Sequence, residues 1–186
     1  VNERLSSDPV SEQEQFFNRV CPDQVDIGPN KPHTFDWVLS RTRDGTKSNA
    51  PRELIHLFNC LREVQAKHLE VGDPPPDGEQ LFARGNFKEA LKAVSKVRLM
   101  QTLYAEYPTL KPYLEKLRGS KTLQTVNTLS VAWGVGKSEA EKRANEVAKS
   151  GFFEVRNPHT STEYWVPFLY RDALDLVQGS ADTEDT

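Results

Sequence analysis

The sequence predicts a mainly α fold with α+β character in its second half: a helical bundle followed by a winged helix-turn-helix with a two-stranded wing. Three observations favour this fold class. Apolar residues recur at helical spacing within residues 12–71. A proline-rich break follows at 73–80. Beyond it, two helical patterns joined by a glycine turn precede two segments rich in aromatic and β-branched residues, which is the order of elements in a winged helix.

The first half contains three predicted helices. The first spans 12–20 and the second spans 34–43. The third begins at Asn49, a residue type that often caps helices, and has Pro51 in its first turn. Its apolar pattern runs to about Val71, so this is the longest helix expected in the first half.

The segment after these helices separates two predicted domains. Three prolines lie between Gly72 and Gly78, so no helix continues through the segment and the chain forms a stiff spacer. The predicted division is a helical subdomain at 1–72, a Pro-rich linker at 73–80, a winged helix-turn-helix domain at 81–179 and an acidic tail at 180–186.

The second domain opens with a long predicted helix. Asn86 and Glu89 have the spacing of a capping box at its start. Cationic residues then recur every four positions and form a basic stripe along one side, at Arg84, Lys88, Lys92 and Lys96. A shorter helix is predicted at 110–117, followed by a break at 119–122.

The helix-turn-helix pattern centres on Gly134, which supplies the positive φ that the turn requires. Val135 is placed to plug the core between the two helices. Ser138 and Glu141 have capping-box spacing at the start of the second helix, and Gly151 provides its stop. The inward positions of this second helix are small or apolar: Ala140, Ala144, Val147 and Ala148.

The wing is predicted from two strands at 152–156 and 164–170, joined by a polar turn at 157–161. A short helix at 172–177 closes the domain. Each of these patterns is weak alone, and their order along the chain is what makes the winged helix the preferred fold.

Charge is distributed unevenly along the chain. Residues 1–80 contain 9 basic and 14 acidic side chains, for a net charge of −5. Residues 81–171 contain 15 basic and 8 acidic side chains, for a net charge of +7, and 172–186 contain 5 acids and no Lys or Arg. This asymmetry indicates a polyanionic or acidic partner for the middle segment. The alternative is that the two halves neutralise each other by docking.

Composition places the chain among ordinary globular proteins, with 37% hydrophobic and 27% charged residues. No apolar run is long enough for a transmembrane helix, and the polar N-terminus does not resemble a signal peptide. We expect a cytoplasmic protein that binds no membrane. Cys21 and Cys60 lie far apart without a His cluster, so we expect reduced cysteines and no zinc site.

One short segment resembles a known phosphate-binding motif. Gly136, Lys137 and Ser138 resemble the end of a phosphate-binding P-loop. That motif also requires a glycine where Val131 stands and an apolar strand before it, whereas a helical segment precedes it here. We therefore interpret the motif as a tight turn followed by a helix cap.

The second helix of a winged helix often enters the major groove of DNA. We expect DNA contacts from its outward side chains, from the wing and from the basic stripe, namely Lys137, Lys142, Arg143, Asn145, Arg156, His159, Lys88, Lys92 and Lys96. Three glutamates on the same helix would face the polyanion. The alternative is a winged helix used only as a protein-interaction module, docking on another domain or on an oligomer neighbour.

A family resemblance adds to this interpretation. The stretch FDWVLSRTRDGTKSNAPRELIHLFN and the ending YWVPFLYRDALDLVQG resemble the C-terminal part of bacterial P-loop ATPases of the STAND/AAA-like class. The resemblance covers the chain from about Phe16 to Gly179. In that class a nucleotide-binding domain is followed by a helical lid and a winged helix, which implies that the first half here is lid-like.

An arginine early in the lid helix senses the γ-phosphate in the class, and Arg52 stands at the matching place. The alternative for Arg52 is an ordinary surface residue at a helix start.

The chain departs from the family in lacking an intact Walker A motif and an apolar strand that ends in an acidic pair. The resemblance therefore implies the non-catalytic, regulatory end of a longer ATPase, with Val1 as a cut rather than a native start. ATP and Mg²⁺ would be bound by the missing N-terminal domain, and no cofactor by this chain. The implied partners are that ATPase domain, double-stranded DNA and further copies of the same chain. No catalytic constellation accompanies the four scattered histidines.

Overall fold

The structure, a computed structural model, describes residues 10–157 and 161–181, and these residues form a mainly helical fold with a small mixed sheet. The described residues of the first half contain α1 (Val10–Val20), α2 (Thr34–Thr42) and α3 (Pro51–Glu70). These helices confirm the three predicted from apolar spacing, with boundaries that differ by one or two residues. Among the described residues, no helix has the length and apolar character needed to cross a membrane.

The second half also begins with helices, and the longest of them changes from an α-helix to a π-helix along its length. The helix α4 (Arg84–Val97) continues through a π-helical stretch at Arg98–Leu103 into α5 (Tyr104–Glu106). A π-helical stretch inside an α-helix often marks a functional or strained position. The remaining helices are α6 (Lys111–Glu115), α7 (Val126–Trp133), α8 (Lys137–Lys149) and α9 (Phe168–Arg171), and a 3₁₀ turn follows at Asp172–Leu174.

The sheet combines strands that are distant in sequence. Its strands are β1 (Lys121–Thr125), β2 (Glu154–Arg156), β3 (Glu163–Trp165) and β4 (Val177–Ser180), in the spatial order β2-β3-β1-β4. The strand β3 pairs antiparallel with both β2 and β1, and Trp165 lies opposite Glu154 on one side and Leu123 on the other. The strand β4 pairs parallel with β1. A pair of strands was predicted in the region of β2 and β3, whereas β1 and β4 were not predicted.

Two predictions near the C-terminus are wrong. The strand expected at 164–170 ends at Trp165, and α9 begins after Pro167. Proline has no N–H to donate to a strand ladder, so the aromatic residues beyond it form a helical turn that buries Tyr170. The helix expected at 172–177 is a single 3₁₀ turn. It ends at Asp175, which has a positive φ of 53°, and Val177 then pairs in the sheet.

The predicted helix caps are also wrong. Asn86 does not cap α4, which begins at Arg84; its side chain is buried and donates to Gln65 Oε1 at 2.9 Å. Asn49 lies before the N-cap of α3 and donates to the carbonyl of Leu39 at 2.6 Å. In both cases a tertiary partner takes the amide that the local pattern assigned to a cap.

The cap that was expected from Ser138 and Glu141 is also missing. The helix α8 begins after Gly136, and no side chain caps it. The capping box lies one helix earlier instead, where Thr125 caps α7 and exchanges hydrogen bonds with Thr128. Ser138 has a helical position in the first turn of α8 and is exposed to solvent.

Residues from both sides of the proline-rich segment share one hydrophobic core. Trp37 of α2 packs edge-to-face on Phe87 of α4, with ring centroids 6.2 Å apart. Gln65 of α3 also accepts a hydrogen bond from the backbone N–H of Ala83 at 2.8 Å. Cys21 and Cys60 are free and buried in this core, and burial raises the pKa of Cys21 to about 12. The helices of the second half therefore cover apolar faces of the first half.

Candidate functional site

The turn between α7 and α8 is the geometric centre of the candidate site. Gly134 has a φ of 69° in the left-handed region, as the sequence predicted. The backbone N–H of Val135 donates to the carbonyl of Ser130 at 3.1 Å, and the Ser130 hydroxyl donates to the carbonyl of Val135 at 2.6 Å. These bonds set the angle between the helices. Lys137 and Ser138, which resemble the end of a P-loop, form the first residues of α8.

One face of α8 packs into the core. Ala140, Ala144 and Val147 are fully buried, and Ala148 packs against them at the edge. Small side chains at these positions let α8 approach α7 closely, because a larger residue would push the two backbones apart. This face confirms the inward positions predicted from the spacing.

A second flank of α8 is occupied by an internal charge network. Arg143 donates to Glu139 at 2.8 Å and to Glu146 at 3.3 Å, and its guanidinium lies 5.1 Å from the centroid of the Tyr113 ring. The hydrogen bond to Glu139 raises the pKa of Arg143. Arg143, a predicted DNA contact, is thus engaged within the protein. Glu139 and Glu146 share this one arginine, so the flank keeps a net charge of −1.

The remaining side of α8 faces solvent. Its exposed residues are Lys137, Ser138, Glu141, Lys142, Asn145 and Lys149. Within the described part of the chain, no carboxylate forms an ion pair with any of these three lysines. Asn145 Oδ1 accepts a hydrogen bond from the Tyr164 hydroxyl at 3.2 Å, which ties the helix to β3. The exposed side of α8 therefore presents three lysines against one glutamate.

Arg156, on the β2–β3 hairpin, is held by contacts within the protein. Arg156 on β2 stacks over the Trp165 ring at 3.9 Å from its centroid and donates to Glu154 at 3.1 Å. The predicted contact His159 lies outside the described residues.

The basic stripe of α4 is divided between bound and exposed lysines. Lys88 pairs with Asp26 at 2.6 Å, which lowers the pKa of that carboxyl. Lys92 and Lys96 are exposed, and neither forms an ion pair with a carboxylate of the described residues. Lys92 and Lys96 remain accessible for the predicted phosphate contact, whereas Lys88 is held to the first half.

Arg52 lies in the first turn of α3, with 62% of its side chain exposed. Its Nε donates to Glu53 Oε1 at 3.2 Å, and the same carboxylate oxygen accepts from Arg98 Nη1 at 3.2 Å. The predicted nucleotide-sensing arginine is therefore at the surface and is bonded through Glu53 to the start of the π-helical stretch.

An arginine–aromatic stack was not predicted from the sequence; in it Arg41, Arg156 and Arg171 interleave with the rings of Trp165 and Phe168. The helical spacing of three residues between Phe168 and Arg171 could have indicated part of it. The contribution of Arg41 could not have been found, because that residue lies more than a hundred positions away on α2.

No protein-family model matches the sequence, and no characterised protein or solved structure matches it either. Among the described residues, no group of three or more His, Cys, Asp or Glu side chains is placed to hold a metal ion.

Proposed function

We propose that residues 111–165 form a winged helix-turn-helix that binds double-stranded DNA through the exposed side of α8. The order of elements supports this proposal: α6, β1, α7, a tight turn, α8, then the β2–β3 hairpin. Winged helices share this order, with the first strand paired to the second strand of the wing. Here β1 pairs with β3.

The observation that favours DNA binding is the distribution of charged side chains around α8. The acids Glu139 and Glu146 are bound to Arg143 on the flank that faces Tyr113. The lysines without an ion-pair partner among the described residues, in contrast, lie on the exposed side. The three glutamates of α8 thus oppose DNA binding less than their number suggests, because only Glu141 lies on the exposed side.

This binding is directed mainly at phosphates rather than at base edges. Lysine ammonium groups neutralise backbone phosphates and release counterions, which supplies affinity without sequence preference. Asparagine recognises adenine by offering both its amide oxygen and its NH₂ group. Since Asn145 Oδ1 already accepts from Tyr164, this side chain is poorly placed for that bidentate contact.

The test is fluorescence anisotropy with a labelled duplex of random sequence, measured across a series of salt concentrations. The double variant Lys137→Gln/Lys142→Gln should bind more weakly at low salt and lower the slope of log K against log salt by about two. Lys67→Gln removes a charge from an exposed position on α3 and serves as the matched control, with unchanged binding. The proposal fails if the wild-type protein gives no anisotropy change at low salt.

We further propose that this region is the non-catalytic, regulatory C-terminal part of a P-loop ATPase. The resemblance of residues 35–59 and 164–179 supports the parentage, and the exposed position of Arg52 leaves this side chain accessible to a nucleotide held by another domain. ATP and Mg²⁺ belong to the preceding nucleotide-binding domain in this proposal. Phosphate release from ATP by this chain alone, above the buffer level in a malachite-green assay, would contradict it.

A protein-interaction role is the second candidate function. In this chain the end of α8 already docks on the helical half, since the N–H of Gly45 donates to the carbonyl of Gly151 at 2.6 Å. Phe168, directly after the hairpin, stacks with Arg41 of α2 at 4.1 Å from the ring centroid. Salt-dependent DNA binding separates the candidates, because a module used only for docking on an ATPase core or an oligomer neighbour gives none.

A further inference from the structure

A cavity of about 260 Å³ lies between the turn after α2 and the base of the β2–β3 hairpin. Three cationic side chains line it: Arg43 and Lys47 from the turn, and Arg156 from β2. Trp165 and Phe168 form its aromatic wall. The volume is slightly below the range of roughly 300–1,000 Å³ that is usual for drug-sized ligands, so the cavity suits a small group.

Guanidinium groups already lie over both rings of the aromatic wall. Trp165 has Arg156 and Arg171 over its ring, at 3.9 and 4.6 Å from the centroid. Phe168 has Arg41 and Arg171 over its ring, at 4.1 and 3.9 Å. Each ring of the wall therefore already has two guanidiniums over it.

The guanidiniums of Arg41 and Arg171 lie behind the wall and add positive charge, which the carboxylates of Asp26 and Asp172 offset in part. Arg171 is buried and bonds the carbonyl of Val166 and the amide oxygen of Gln178, and its Nη2 atom has no hydrogen-bond partner among the described residues. Burial and the neighbouring charges of Arg41 and Arg156 lower the pKa of Arg171 to about 10. The charge of Asp26 acts on Arg41, but that carboxylate is bound to Lys88.

The carboxylates in the cavity are already engaged. Asp44 Oδ1 accepts hydrogen bonds from the N–H and hydroxyl of Thr46 and from the N–H of Ser48, all within its own turn. Glu154 Oε1 lies 3.1 Å from Arg156 Nε and 3.8 Å from Lys47 Nζ. Five cationic side chains line or back the cavity, against Asp44 and Glu154 in its lining and Asp26 and Asp172 behind it, a formal excess of one positive charge.

We propose that this cavity binds a phosphate group, either as free phosphate or as a small phosphomonoester. Arginine presents a planar fork of donors that fits phosphate oxygens, and lysine contributes a point charge. A bound phosphate would place negative charge beside the arginine–aromatic stack, where cationic side chains outnumber carboxylates. The site is independent of the exposed side of α8, and it joins the turn after α2 to the wing.

Isothermal titration calorimetry with inorganic phosphate and with AMP, at constant ionic strength set by sodium chloride, tests the proposal. Arg43→Gln/Lys47→Gln should raise the Kd for phosphate at least tenfold, because the two most exposed cations of the cavity are lost. The control Lys67→Gln should leave the Kd unchanged. Circular dichroism and the single variant Lys47→Gln, whose side chain is 67% exposed, show whether a loss of binding reflects a loss of fold.

The two ligands distinguish the sources of the phosphate group. Binding of phosphate as tight as that of AMP assigns the site to the free anion, and tighter binding of AMP assigns it to a phosphomonoester. Absence of binding by both ligands, or equal binding by the Arg43→Gln/Lys47→Gln variant and the wild type, overturns the proposal. Lys137→Gln/Lys142→Gln should retain phosphate binding, so the DNA proposal and this one can fail separately.

Discussion

Glu53 and Arg98 form an ion pair that is almost completely withdrawn from solvent, with Oε1 and Nη1 3.2 Å apart and side chains 5% and 13% exposed. The pair joins the first turn of α3 to the start of the π-helical stretch. Its bonding is incomplete, because Glu53 Oε2 and Arg98 Nε find no hydrogen-bond partner among the described residues. Two helices from opposite sides of the proline-rich segment are therefore connected by a buried and partly unsatisfied charge pair.

Removing one partner of this pair should be costly. We expect Glu53→Gln to lower the free energy of unfolding by about 3 kcal/mol, because the buried guanidinium of Arg98 loses the carboxylate that it is paired with. Glu53→Gln/Arg98→Met should lose less than the single variant, since no isolated charge remains. Urea denaturation followed by circular dichroism measures both. A single variant within about 1 kcal/mol of wild type would show that the pair is weak, as surface pairs are.

His68 should make stability depend on pH. Its Nδ1 bonds Asp73 at 2.5 Å and its Nε2 bonds Glu89 at 3.2 Å, which ties the proline-rich segment to α4. The bond to Asp73, then that to Glu89, raises the pKa of His68. A raised folded pKa contributes stability that is complete below the unfolded value of about 6.5 and is lost as pH rises through the folded value.

The comparison of wild type with His68→Gln isolates this effect, since other titrating groups cancel between the two proteins. We expect the wild type to be more stable than the variant in urea at pH 5.5, and this difference to shrink by pH 9. A difference that is constant across the range would mean that packing of the ring, and not its charge, is what the variant loses.

Gly45 permits a close backbone contact that a side chain would prevent. A Cβ at this position would lie 2.2 Å from the carbonyl oxygen of Phe153, and the N–H of Gly45 bonds Gly151. We expect Gly45→Ala to destabilise the fold by about 1–3 kcal/mol or more, because backbone on one side must move. Gly85→Ala on α4 is the matched control, since its Cβ meets nothing within 4 Å. Thermal unfolding should show a lower Tm for Gly45→Ala alone.

The turn before α8 offers a second pair of glycines for comparison. A Cβ at Gly134 or at Gly136 would meet nothing within 4 Å, so neither substitution is limited by space. Only Gly134 has a positive φ, at 69°, whereas Gly136 has a φ of −65°. We expect Gly134→Ala to cost about 1–2 kcal/mol in unfolding free energy, and Gly136→Ala to cost less, because alanine is a poorer N-cap than glycine but adopts this φ without strain. Equal losses would contradict the assignment of backbone strain to Gly134.

Some parts of the candidate site could be predicted from local patterns. The inward alanines of α8 and the turn at Gly134 follow from helical spacing and from the conformation that a tight turn requires. The strands β1 and β4 could not be predicted in this way. They are short, and their pairing with each other depends on residues that lie more than fifty positions apart in the chain.

The sequence by itself determined where most helices begin and end and where the chain must turn, because periodicity, proline and glycine act within a few residues. Only the tertiary structure decided which charged side chains remain available to a binding partner. It bound Lys88 to Asp26, placed the Tyr113 ring beside Arg143, and left Lys142 without an ion-pair partner among the described residues. The physical reason is that a side chain is neutralised by whichever group packs beside it, and spacing along the chain does not encode those neighbours when they come from distant elements.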